Sequence, residues 1–164
     1  MGSTQPTGHD MDQANADKFG KPGDEHRALD IFEGKWITHG TIYATGGEKA
    51  AEMHAVDEYK WLPGKFFMVH HVDARMDGVS AQSIEVIGYD DARGCYVTWS
   101  YDDQGASVEF TARLDGDNWE IDGETMRFRG AFKDDAATLS GTWEQRGNGG
   151  TWTRWIDIAL RKVT

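Results

Sequence analysis

The sequence predicts an all-β protein, an antiparallel up-and-down barrel of about nine or ten strands behind a short N-terminal helix. Three observations carry this reading. From Gly34 onward, apolar and polar residues alternate, with turn residues recurring roughly every 8–12 positions. No segment reads as a helix long enough to cross over between parallel strands. A long series of hairpin-linked strands favours closure, because closure removes the exposed sheet edges. A two-sheet sandwich is the alternative architecture.

The elements follow in order. Residues 1–24, MGSTQPTGHDMDQANADKFGKPGD, are polar, marked by Gly and Pro and without hydrophobic period, so they read as a disordered arm. Residues 25–164 form the barrel domain. HRALDIF (His26–Phe32) supplies one or two helical turns with Leu29, Ile31 and Phe32 apolar. The strands begin with GKWITHGTIYAT, AAEMHAVDEYKW, FFMVHHVDARM, AQSIEVIGYD and CYVTWSYD. ASVEFTARL, NWEID, TMRFRGAF, ATLSGTWEQR and TWTRWIDIALRK complete them. Seven Trp, five Tyr and seven Phe are many for 164 residues. They either fill a small barrel or wall a ligand cavity, and the number of strands favours the cavity.

Composition narrows the function. A net charge of −11 opposes nucleic acid, whose phosphates need a basic footprint, and anionic membrane surfaces alike. No apolar stretch approaches the ~20 residues of a membrane helix. The single cysteine, Cys95, cannot form an internal disulfide, and a reducing cytoplasm is the simplest location. No zinc spacing, phosphate loop or dinucleotide fingerprint is present, so neither metal nor cofactor is expected.

Strand periodicity assigns faces. In the second strand Met53, Ala55, Tyr59 and Trp61 share a face with Asp57. In the third, Phe66, Met68, Val72 and Ala74 surround His70, so His70 points in and His71 out. His39 and His54 also fall outward, which leaves no three-histidine metal site. Val97, Trp99 and Tyr101 align in the fifth strand, and in the last Trp152, Ile156, Ile158 and Leu160 enclose Arg154. Turn chemistry then predicts register. A Trp61–Phe66 pair across LPGK puts Asp57 opposite His70. An Asp77–Gly78 turn puts His70 opposite Glu85. An Asp91–Cys95 pair closed by left-handed Gly94 puts Glu85 opposite Tyr101. The expected lateral row is Asp57, His70, Glu85 and Tyr101, with both carboxylates raising the pKa of His70.

The short helix followed by L-x-x-F-x-G-x-W (Leu29, Phe32, Gly34, Trp36) resembles the opening of calycin barrels, the superfamily of lipocalins and fatty-acid-binding proteins. EYKWLPGKFFMVHHVDA, VIGYDDARGCY, GTWE and WTRWIDIALRK resemble a lipocalin-like bacterial family of unknown function over residues 26–162. The resemblance implies a barrel floor in which Trp36 packs on Arg161 or Lys162. It also implies that a late-strand arginine, here Arg154, meets a ligand carboxylate; an internal salt bridge to Asp57 or Glu85 is the other reading. A haem barrel of the nitrobindin kind is set aside, because no histidine follows His71.

Three functional classes stay open. One is a protein holding a small hydrophobic or amphipathic molecule, anionic if Arg154 anchors it, among Tyr59, Met68, Trp99, Tyr101 and Trp143. The second is a cofactor-free acid–base enzyme (isomerase, cyclase or hydratase) using His70 with Asp57 or Glu85. The third is a barrel with a filled interior.

Overall fold

The computed structural model describes residues 20–163. The arm expected over residues 1–24 falls outside the described residues as far as residue 19. Helix α1 (Asp24–Ala28) starts two residues before the expected His26 and runs into a 3-10 turn (Leu29–Phe32). Ten strands follow: β1 (Gly34–Tyr43), β2 (Lys49–Trp61), β3 (Phe67–Met76), β4 (Val79–Asp90) and β5 (Cys95–Asp102). Then come β6 (Ser107–Asp115), β7 (Asn118–Asp122), β8 (Met126–Lys133), β9 (Thr138–Gln145) and β10 (Thr153–Lys162). Each pairs antiparallel with the next, and β1 pairs with β10 from Trp36↔Lys162 to Ile42↔Ile156, closing the barrel. Closure rules out the sandwich.

One end is plugged. The 3-10 turn buries Leu29 and Phe32, and the Phe32 ring meets Tyr59, Trp119 and Phe132 at centroid distances of 5.3, 4.9 and 5.0 Å. Trp36 is buried beside them and its Nε1 donates to the Phe32 carbonyl at 2.8 Å. The Lys162 ammonium lies 4.8 Å from the Trp36 ring and donates to the Ile31 carbonyl at 2.8 Å. Of the two residues proposed for this cation–π closure, Lys162 makes it. The contact ties the first strand, the last strand and the plug together.

Register departs from expectation at two turns, with different consequences. Lys65 N–H donates to the Leu62 carbonyl, and Lys65 is left-handed at φ 56°, so the LPGK loop closes at Leu62–Phe67. Tyr59, and not Asp57, therefore stands opposite His70. The shift is two residues, so every side chain keeps its face. At the β4–β5 turn, Asp90 Oδ1 accepts the N–H groups of Ala92 and Arg93, and Gly94 N–H returns to the Asp90 carbonyl. This side-chain cap lengthens the loop by one residue and pairs Asp90 with Cys95. A one-residue shift inverts β5: Ser100 faces Glu85, and Trp99 and Tyr101 turn outward.

Two glycines shape the opposite wall. Gly130 and Gly141 pair directly across β8 and β9, and the Phe128 ring lies over both. A Cβ at Gly141 would come within 2.4 Å of the Arg129 carbonyl oxygen and 2.5 Å of that ring. Glycine is required there by close approach.

Candidate functional site

Above the aromatic plug the barrel encloses a cavity of about 330 Å³. Its lining runs from Phe32 at the floor to Met76, Asp102, Ala106, Met126 and Trp155 at the other end of the strands. The walls are chemically unlike. β1 to β5 contribute Thr38, Asp57, Tyr59, His70, Ser83, Glu85 and Ser100. Across the cavity stand Phe110, Ile121, Phe128, Trp143, Ile156 and Ile158.

The polar wall is built around His70. Nε2 of the imidazole lies 2.7 Å from Asp57 Oδ1, and Nδ1 lies 3.4 Å from Glu85 Oε1. The second oxygen of Asp57 accepts the Thr38 hydroxyl at 2.5 Å. Asp57 reaches His70 diagonally, since its direct partner on β3 is Val72; Glu85 is directly opposite. Diagonal neighbours on one face of a sheet are within reach of long side chains. Tyr59 lies flat on the imidazole, with centroids 3.8 Å apart and planes at 9°.

Electrostatics follows from this geometry. Burial opposes a charged imidazole, yet hydrogen bonds to Asp57 and Glu85, reinforced by their charges, outweigh it and raise the His70 pKa to about 9. His70 is therefore an imidazolium at neutral pH, donating from both nitrogens. Burial, with the charges of Asp57 and Glu85, pushes the Tyr59 phenol well above its ordinary value, so it stays neutral.

Of the residues singled out from the sequence, Asp57, His70, Glu85, Tyr59 and Trp143 line the cavity. Four do not. Met68 faces inward but is fully buried in the floor cluster with Leu29, Phe32 and Ile87. Trp99 and Tyr101 lie on the outer surface, through the β5 register just described; Tyr101 is 48% exposed. Arg154 is outside as well. A bulge at Trp155 lets Arg154 pair with Glu144 while Ile156 pairs with Trp143, so two residues of equal parity face opposite ways. The guanidinium is exposed, bonded to Asp157 and stacked 4.0 Å over Tyr43. It meets neither Asp57 nor Glu85. His39, His54 and His71 are exposed as expected, and no group of three metal-ligating side chains exists among the described residues.

The sequence model of one family, described as a protein of unknown function (DUF1579), matches residues 21–162, nearly the whole chain. The chain belongs to this family. Its fold is similar to the crystal structure of Rv2717c from M. tuberculosis, at 15% identity and a TM-score of 0.65. That match covers 87% of this chain and 99% of the other. A de novo designed fluorescence-activating β-barrel matches at 13% identity and a TM-score of 0.46, covering 83% of this chain and 97% of the design. No curated protein matches the chain.

For this DUF1579 chain the barrel is a fold shared with that natural protein, whereas the wall chemistry belongs to its own residues. Thr38, Ser83 and Ser100 escaped the sequence reading. Thr38 shares strand parity with buried Trp36, a signal that was available. Ser100 became legible only once the β5 register was known. No helix among the described residues is long and apolar enough to cross a membrane.

Proposed function

We propose that this barrel binds a small amphipathic molecule in its cavity, with the polar part against the β2–β5 wall and the apolar part against the β6–β10 wall. The observation that carries this reading is the two-sided lining of the cavity, polar around His70 and apolar around Trp143. Its volume of about 330 Å³ lies in the range of small-molecule sites. A barrel serving only as a scaffold gains nothing from an unfilled interior, which forfeits packing contacts.

The acid–base alternative draws less support. A general base needs a free nitrogen near neutral pKa, and both nitrogens of His70 face carboxylates that hold its pKa at about 9. In this reading the Asp57–His70–Glu85 row organises the polar wall.

The test is saturable binding of a neutral environment-sensitive dye such as Nile red, repeated with Val72→Phe, which places a ring in the cavity. Binding that disappears in a variant with an intact melt supports the reading. Unchanged binding would move the dye to the outer surface, and no binding by either protein would remove the proposal.

A further inference from the structure

The charge inventory of the cavity points to the chemistry of its ligand, an inference that rests on the binding reading above. Among the described residues, no lysine or arginine lines the cavity. The acidic and basic side chains that do are Asp57, His70, Glu85 and Asp102, with the neutral phenol of Tyr59 beside them. Asp102 sits at the rim, where its Oδ1 accepts the N–H groups of Gln104 and Ala106. Deeper in, two carboxylates share one imidazole.

The two carboxylates are not equivalent. Asp57 is fully used: one oxygen takes the Thr38 hydroxyl and the other takes His70 at 2.7 Å. Glu85 has only the long 3.4 Å contact of Oε1 with His70, and its second oxygen has no hydrogen-bond partner among the described residues. Its side chain is nevertheless only 14% exposed. The imidazolium sits between two carboxylates, and the open oxygen of Glu85 faces the cavity across from an apolar wall. A carboxylate so largely removed from the surface is best met by a counter-charge or a strong donor. A second polar group is open to a ligand. Tyr59 is 5% exposed and lines the cavity, and its hydroxyl makes no hydrogen bond among the described residues. Opposite, Phe110, Phe128 and Trp143 offer aromatic surface for an apolar body.

The geometry points to a cationic amphiphile, a primary or secondary ammonium on a short apolar body, with Glu85 as its anchor. The ammonium donates to the open oxygen of Glu85, the Tyr59 hydroxyl oxygen is a further acceptor, and the apolar body lies along Phe128 and Trp143. This inverts the anionic ligand that Arg154 suggested, because Arg154 is outside the barrel and no other guanidinium or ammonium among the described residues lines the cavity. A carboxylate ligand would instead add a like charge beside Glu85.

Calorimetric titration at pH 7.5 with octylammonium, 1-octanol and octanoate tests this, because the three share an apolar body and differ in head charge. Octylammonium is expected to bind about tenfold or more tighter than octanol, as a charge-assisted bond replaces a neutral one, and octanoate most weakly. Glu85→Gln should bring octylammonium to the affinity of octanol. A second readout needs no variant. Octylammonium beside Glu85 should lower the His70 pKa seen by NMR, through like-charge repulsion, and octanol should leave it in place. Equal affinities for all three, or octanoate binding tightest, would overturn the cationic assignment while leaving cavity binding intact. If none binds and the neutral dye also fails, both readings fall.

Discussion

Tyr59 stands directly opposite His70 across the β2–β3 ladder and lies parallel to it, ring on ring at 3.8 Å. The stack turns the imidazole edge toward both carboxylates and shields it from water. His70 is thereby held as a cation by groups from two strands. Its surroundings are Asp57 and Tyr59 on β2, Glu85 on β4, and Thr38 acting through Asp57 from β1.

That arrangement makes stability pH-dependent with a definite sign. The folded pKa of His70 is about 9 and the unfolded value 6.5. The native state thus binds the proton more tightly, and the stabilisation is fully present below pH 6.5. It declines as pH rises through about 9, by an amount on the order of 3 kcal/mol. Urea midpoints measured between pH 6 and 10 should fall more steeply for the wild type than for His70→Gln. Parallel curves would show that His70 is not charged in the fold. Removing its partner in Asp57→Ala should cost about 3–5 kcal/mol, the range for breaking a buried pair.

Trp36→Ala should destabilise by about 3–5 kcal/mol, because the indole is buried where plug, β1 and β10 meet. Lys162→Met retains most of the aliphatic stem and loses the cation, so a smaller loss of about 0.5–1 kcal/mol is expected. Comparable losses from the two substitutions, in chemical denaturation, would assign the closure to the cation and not to indole packing.

Gly141→Ala should cost about 1–3 kcal/mol, since the new methyl meets the Arg129 carbonyl and the Phe128 ring. Combining it with Phe128→Leu should recover only part, because the backbone contact remains. Full recovery would show that the ring alone demands the glycine.

Arg154→Met should leave ligand affinity unchanged and shift stability by no more than about 1 kcal/mol, as befits an exposed ion pair with Asp157. A large loss of affinity for any cavity ligand would place Arg154 at the site after all, and the β10 bulge would then have to be absent in solution.

Much of the architecture was legible from residues alone. Alternation and turn spacing predict nine or ten hairpin-linked strands, of which ten form, and the apolar neighbours of His70 put it inside and His71 outside. The Asp77–Gly78 turn correctly set His70 against Glu85, because a two-residue hairpin leaves little freedom of register. The β2–β3 error was harmless, since a shift of two residues preserves faces. The errors that mattered were of one residue. At Asp90 a side chain captured two backbone N–H groups and lengthened the turn, and at Trp155 a bulge inserted one residue into β10. Each inverted a strand segment, removing Trp99, Tyr101 and Arg154 from the interior. Period two determines which residues of a strand share a face. Only the closed ladder, where each strand must satisfy two neighbours at once, decides which face is inside and therefore what charge the cavity carries.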